Sequence, residues 1–294
     1  MFTILGIPSQ ALFGQLLLGL INGSFYALLS LGLAIIFGLL NIINFAHGAQ
    51  YMMGAFLTWM LLSYFGVGYW WALLLVPVLV GIFGLVLERL LISRLHHLDH
   101  LYGLLLTFGL ALIIQGLFRI RYGVSGLPYG IPLTLAGGQN LGFMFLPNYR
   151  LWVILLSLSV CLATWLVEKT KLGAYLRAAT ENPTLVQAFG INVPRLITLT
   201  YGGGVGLAAL AGVMAAPIYS VNPNMGADMI ITVFAVVVIG GMGSIAGSIV
   251  TGFALGLIEG LTKLLYPEAS STVIFIIMAI VLLLKPAGLF GRRV

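Results

Sequence analysis

Nine long apolar segments, near residues 11–40, 49–65, 70–92, 101–121, 150–167, 196–218, 229–243, 245–264 and 271–286, run along the chain with short polar or glycine-rich breaks between them. A membrane span needs roughly 20 apolar residues, so a chain of this length holds about eight to ten. The pattern predicts an all-α, polytopic transmembrane bundle with broken helices, in one domain over residues 1–294. The first segment is too long for a simple span and contains Asn22-Gly23-Ser24, which predicts two helices or one tilted, broken helix. Two intervals stand apart. Tyr122 to Tyr149 holds six glycines, three prolines and no charge, and reads as an outer loop or packed hairpin. Residues 168–195 are polar and carry Glu168, Lys169, Lys171, Arg177, Glu181 and Arg195, with apolar runs on both sides. This stretch has to sit in water between two spans.

Composition supports the pattern. The chain is 61% hydrophobic and 7% charged, against about 25% charged in a soluble domain. No charge occurs before Glu88. The first segment lacks the basic start of a cleavable signal peptide. The formal charge of +6 does not point to nucleic acid, because the cations alternate between inter-span segments. Arg89, Arg94, Lys169, Lys171, Arg177, Arg195, Lys285, Arg292 and Arg293 fall on one side; Arg119, Arg121, Arg150 and Lys263 fall on the other. The positive-inside rule puts the larger group, and the C-terminus, in the cytoplasm. The N-terminal side stays open, because the first 87 residues offer no cation to count. Cys161 is the single cysteine and lies in a span, so no disulfide framework or thiol metal site is expected. Glycine pairs such as Gly202 and Gly206, or Gly252 and Gly256, have the spacing of close helix contact. Two related halves are faintly visible, with small or polar turns at Asn41 to Gly48 and Gly240 to Ser244. Interrupted segments at matching positions point to a transport site near the midplane.

Four constellations could carry chemistry. Asn41, Asn44, His47, Gln50 and Tyr51 cluster at one break. Buried, they would line a path or gate, since irregular backbone at depth is tolerated only against protein or water. At the surface they would be an ordinary turn. Gly240, Gly241, Gly243 and Ser244 form a second break, which reads as a tight membrane turn or a close helix crossing and is placed with the same path or gate residues. It lacks the Gly-x-x-x-x-Gly-Lys phosphate loop, and no lysine in the chain follows a glycine. Beyond it Glu259 is either a functional intramembrane carboxylate or an ion-pair partner of Lys263 at i+4. His96, His97, Asp99 and His100 resemble a zinc set, but they sit in a charged turn without a partner cluster, and no metal site is expected. No nucleophile–base set is present, which disfavours an intramembrane enzyme. The fourth constellation is the polar loop. Asn182 suits an N-cap, Pro183 a first helical position and Gly190 a left-handed end. The helix enclosed is only ~10 Å long, marginal alone, and carries Leu185, Ala188 and Phe189 on one face. Its apolar face needs either a protein partner or the lipid surface.

Asn44-Phe-Ala-His-Gly48, Arg177-Ala-Ala-Thr-Glu-Asn-Pro183 followed by Phe189-Gly-Ile-Asn-Val-Pro194, and Gly240-Gly-Met-Gly-Ser244 together resemble the permease subunits of branched-chain amino acid ABC importers. The similarity covers nearly the whole chain with order and spacing intact. It implies a multi-pass subunit of a bacterial or archaeal cytoplasmic membrane, with no cofactor of its own. ATP and Mg2+ would be held by cytoplasmic ATPase subunits. A second, non-identical permease subunit and an extracytoplasmic solute-binding protein complete the expected set. The loop then looks like the coupling helix seated on the ATPase, through Arg177, Ala178, Ala179, Glu181, Asn182, Pro183, Leu185, Ala188, Phe189 and Gly190. Relatives with similar motifs import urea, short amides or other amino acids, and those substrates stay open. A self-sufficient secondary transporter or channel is the competing class; for coupling it would have only Glu259 and Asp228.

Overall fold

The computed structural model describes residues 3–4, 7–40, 43–95, 98–142 and 144–291. Eleven α-helices lie among them: α1 (Ser9–Leu40), α2 (Ala46–Phe65), α3 (Tyr69–Leu90), α4 (His100–Tyr122), α5 (Asn148–Glu168), α6 (Lys171–Glu181), α7 (Pro183–Ala188), α8 (Val193–Ala215), α9 (Met225–Gly240), α10 (Ile245–Leu265) and α11 (Val273–Leu284). The nine apolar segments became nine helices, and the polar loop became α6 and α7. By length and composition six helices suffice to cross a membrane, namely α1, α4, α5, α8, α10 and α3 with its extension to Leu95. The apolar helices α9 and α11 are shorter, and α2 opens on the polar sequence Ala46-His-Gly-Ala-Gln50.

The first segment is one unbroken helix of 32 residues, ~48 Å long at 1.5 Å per residue. The expected break at Asn22-Gly23-Ser24 does not form. Gly23 is needed for contact with α10, where an added Cβ would lie 3.0 Å from Phe253 Cα, and Ser24 Oγ donates back to Leu20 O at 2.9 Å. Every residue from Gly23 to Ala34 is buried. A helix apolar all round belongs in the middle of a bundle, and α1 is the central strut here.

Reciprocal contacts relate two four-helix units, α1–α4 and α8–α11. A Cβ added to Gly32 would lie 2.7 Å from Gly204 O, and one added to Gly204 would lie 2.8 Å from Gly32 O. Gly48 and Gly226 meet backbone to backbone in the same mutual way. The third helix of each unit packs on the first of the other: α3 on α8 at Gly81 and Gly202, α10 on α1 at Gly19 and Gly256. The second and fourth helices touch in both units, α2 with α4 and α9 with α11. Phe25, midway along α1, meets the Tyr219 ring beyond the end of α8, while Ile36, late in α1, lies on Gly204. The two first helices therefore run in opposite directions, and the units form an inverted repeat. This corrects the pairing of breaks read from the sequence. The counterpart of the turn at Asn41 to Gly48 is the link between α8 and α9, not Gly240 to Ser244. A short echo survives in Asn44-x-x-x-Gly48-Ala49-Gln50 against Asn222-x-x-x-Gly226-Ala227-Asp228.

Between the units, α5 and the α6–α7 loop make the connection, and residues 122–149 carry an antiparallel hairpin, Gly138–Asn140 with Phe145–Pro147. The segment after α11 folds back on α9, where Leu289 and Phe290 N–H groups donate to Ile239 O (2.8 Å) and Gly240 O (3.0 Å).

The glycine crossings yield a direct expectation. Gly204→Val should destabilise the protein in detergent by about 1–3 kcal/mol, the usual cost of overpacking. Gly203→Ala, next along the helix and with open space around its Cβ position, should leave the melting temperature unchanged. Equal melting temperatures for both variants would remove the crossing from the stability argument.

Candidate functional site

The break between α1 and α2 is held by a side chain from α4. Thr107 Oγ1 accepts the Phe45 N–H (3.2 Å) and donates to Ile43 O (3.1 Å). A hydroxyl thus satisfies backbone groups that the interrupted helix leaves free. Asn41 lies outside the described residues. Asn44 Nδ2 donates to Tyr201 Oη on α8 (3.0 Å) and to Gln50 Oε1 (3.4 Å), and Gln50 Nε2 donates to the same Tyr201 oxygen (3.4 Å). His47 Nε2 faces Leu29 O at 3.0 Å, so that nitrogen carries the proton of the pair. Asn44, His47, Gln50 and Tyr51 are all buried inside the chain. Asn44 Oδ1 and His47 Nδ1 have no hydrogen-bond partner among the described residues. Tyr51 serves a different purpose, its carbonyl receiving the close approach of Gly212 on α8. Among the described residues the cluster is enclosed by α1, α2 and α8, with Asn44, His47, Gln50 and Tyr51 buried.

The residues Gly240, Gly241, Gly243 and Ser244 do not join that cluster. They form the turn from α9 to α10, packed on three sides. Gly240 abuts Gly247; Gly241, at φ 103°, abuts Gly288 and Gly291 of the C-terminal segment; Gly243, at φ 83°, abuts Gly38 of α1. Positive φ suits glycine alone, and Ser244 Oγ caps α10 by accepting the Gly247 N–H at 3.1 Å.

Glu259 is buried on α10 and fully engaged. Its carboxylate accepts from the Tyr26 hydroxyl (2.7 Å), the Asn22 amide (3.5 Å) and the Lys263 ammonium one turn on. Tyr219 OH donates to Asn22 Oδ1 at 3.1 Å, tying the α8–α9 link to the same network. The ion pair and the hydrogen bonds coexist at this carboxylate, and together they offset its desolvation.

In the polar loop the helix ends are set by side chains and glycine. Asn182 Oδ1 accepts the Leu185 N–H (2.9 Å), Pro183 opens α7, and Gly190 takes φ 84° just beyond it. Asn192 Oδ1 caps α8 through the Arg195 N–H (3.0 Å). Arg177 Nη1 donates to Glu168 O at 2.8 Å, closing α6 onto the end of α5. Val186 turns inward against Ala179 and Val193 to make a small separate core with Ile191, Leu196 and Ile197. That core orients α7. Leu185, Ala188 and Phe189 point outward, and Phe189 is 78% exposed. Ala178, Glu181 and Asn182 lie on the outer surface as well.

Among the described residues no group of three His, Cys, Asp or Glu side chains could hold a metal. His96 and His97 fall outside those residues, and Asp99 caps α4 by accepting the Leu101 N–H at 2.9 Å. Sequence reasoning missed Tyr201 and Thr107, each of which completes the break at α2 from a distant helix. The signal at Tyr201 was faint, a lone phenol beside Gly202-Gly-Gly204.

The profile of a family described as the permease component of the branched-chain amino acid transport system matches residues 15–282. The chain is similar to the high-affinity branched-chain amino acid transport system permease protein LivH of Escherichia coli K12, 28% identical over 297 residues and 95% of each chain. It is 28% identical to the corresponding permease protein BraD of Pseudomonas aeruginosa, again over 95% of both chains. The probable branched-chain amino acid transport permease protein LivH of Methanocaldococcus jannaschii is 27% identical over 92% of this chain and 90% of its own. No solved structure matches the chain.

The buried cluster can be tested for its stake in the fold. Tyr201→Phe removes the oxygen that Asn44 and Gln50 share and should cost about 1–3 kcal/mol, the penalty of buried donors left unmade. Thermal melting in detergent reads the loss, and a melting temperature equal to that of the unsubstituted chain would show that these donors find other partners.

Proposed function

The chain belongs to the branched-chain amino acid transport permease family, and on that premise we propose that it is the membrane-spanning subunit of an ATP-driven importer of branched-chain amino acids. The observation that carries the reading is α7. A helix of six residues cannot hold itself, yet it is capped at both ends, braced by Val186 from behind, and left with three apolar side chains facing out. Such a face is built for a groove on another protein. The chain has no phosphate loop, so the energy source lies in a partner. We assign that partner as a cytoplasmic ATPase carrying ATP and Mg2+, with α7 seated on it. The remaining assembly is a second, non-identical permease subunit and an extracytoplasmic solute-binding protein, and the C-terminus belongs on the ATPase side.

Against a self-sufficient transporter, one of the two carboxylates open to coupling is already committed. Glu259 already has an ammonium, a phenol and an amide around it. The substrate class rests on the family and on its named members, and a rigid α8 running from the loop into the buried cluster gives the docking event a route inward.

Ala188→Glu should place an unpaired carboxylate in the docking contact and weaken ATPase association by about 3 kcal/mol, roughly 100-fold. Gly190→Val should weaken it too, because a β-branched residue resists the positive φ at the helix end. Both variants should insert and melt like the unsubstituted chain. Co-purification with the ATPase and ATP-driven leucine uptake in proteoliposomes measure the effect, and full retention of both in both variants would remove the coupling role of α7.

A further inference from the structure

Most of the outward surface of α4 is aliphatic, with Leu112, Ile113, Leu117 and Ile120 exposed. A polar strip interrupts it at the junction with α9. Arg119 Nη2 and Gln115 Nε2 both donate to Asn224 Oδ1, at 2.7 and 3.0 Å. Asp228 follows one turn along α9, its N–H donating to Asn224 O. Its side chain is exposed and makes no ion pair or side-chain hydrogen bond among the described residues. Ile231, three residues further on the same face, is 58% exposed.

The strip lies within the thickness of the bundle. Phe234 of α9 stacks on Phe45, which is bonded to Thr107 of α4. Asp228 therefore lies between the levels of Thr107 and Arg119, positions ~18 Å apart along α4 at 1.5 Å per residue. An outward-facing carboxylate at that depth, bare to hydrocarbon, is too costly to stand. It calls for a water-filled path, a polar ligand or a polar partner surface. The first turn of α9 favours a carboxylate through the helix dipole, but that does not explain the guanidinium, the two amides and the exposed aliphatic side chain beside it.

We propose that Arg119 and Asp228 form a subsite on the translocation path that holds the zwitterion of an aliphatic α-amino acid. The substrate carboxylate is held by Arg119, whose fork has donors to spare beyond the one given to Asn224. The ammonium is held by Asp228, and the branched side chain lies on Ile231. This rests on the importer reading and adds the residues that recognise the substrate's two charges. No metal or coupling ion is required.

The test uses the whole reconstituted assembly with an unchanged solute-binding protein at saturating leucine. Asp228→Asn and Arg119→Gln should each lower ATP-driven leucine uptake at least tenfold while every subunit still co-purifies and basal ATP hydrolysis persists. Asp228→Glu should restore part of the rate. A second measurement does not depend on transport. Cys161 is buried, so Ala227→Cys, at an exposed position beside the carboxylate, is the thiol of this chain that a water-soluble reagent reaches, with labelling read on this subunit after separation. Leucine should slow its modification, whereas leucinamide and 4-methylpentanoate, each lacking one of the two charges, should not at the same concentration. Uptake at the unsubstituted rate in both charge variants, or labelling indifferent to leucine, overturns the subsite. So does loss of the second permease from the Asp228→Asn assembly, which would make the strip a subunit contact. If the unsubstituted assembly takes up no leucine at all, the importer reading falls and the subsite with it; failure of the variants alone overturns only the subsite.

Discussion

Backbone-to-backbone contact at glycine is the constraint on which the rest of this structure depends. In a membrane the hydrophobic effect does not press helices together, because lipid tails are as apolar as leucine. Close packing must supply the attraction, and it is strongest where no side chain intervenes. The paired positions Gly32 with Gly204 and Gly48 with Gly226 sit where the two inverted units cross. Each glycine costs about 1 kcal/mol of helix propensity relative to alanine. The repayment is the approach itself, which puts α1 at the centre and brings the starts of α2 and α9 into contact. Without these crossings neither break would meet the helices that satisfy it.

The breaks show why a crossing of this kind matters for chemistry. A chain that interrupts a helix inside a bundle exposes N–H and C=O groups that water cannot reach. Here Thr107 on α4 and Tyr201 on α8 reach across to the residues around Phe45. Both reaches need the helices close. On the other side of the repeat, Tyr219 and Asn22 extend from the α8–α9 link to Glu259. Several of these hydrogen bonds run between elements, and those specify which helix lies beside which. This is a use of buried polar groups that apolar packing alone does not supply.

Much of this was legible before any coordinates. The nine helices follow from segment length and hydropathy. The ends of α7 follow from Asn182, Pro183 and Gly190, because capping is local chemistry. What was not legible shares one cause: it is tertiary. Asn22-Gly23-Ser24 reads as a break, yet the helix continues, because the Asn22 side chain finds Glu259 and Tyr219 and Gly23 finds α10. Gly240-Gly-Met-Gly-Ser244 reads as a tight turn and is one, but nothing in it names the partners it packs against, Gly38 of α1 and the segment around Gly288 and Gly291. The true counterpart of the first break contains Pro223 and three asparagines or serines, Ser220, Asn222 and Asn224. It looks like an ordinary loop, and only the reciprocal contact of Gly226 with Gly48 reveals the relation. The polar strip on α4 and α9 was invisible for the same reason, since Arg119 and Asp228 lie more than a hundred residues apart.

One consequence joins the loop to the interior. The small core of Ala179, Val186 and Val193 fixes α7 on the first turn of α8. From Val193 to Tyr201 is ~12 Å along a helix, without a proline past Pro194. A helix of that length moves as a rod. Along the way Thr198 Oγ1 donates to Glu88 Oε2 on α3 at 2.6 Å, so α3 is tied to the same rod. The Tyr201 oxygen that Asn44 and Gln50 share therefore stands two turns along the helix that holds α7, on the stretch braced by α3. The buried cluster and the exposed loop thus share one helix: the α8 that anchors α7 at its first turn also carries the phenol that completes the break.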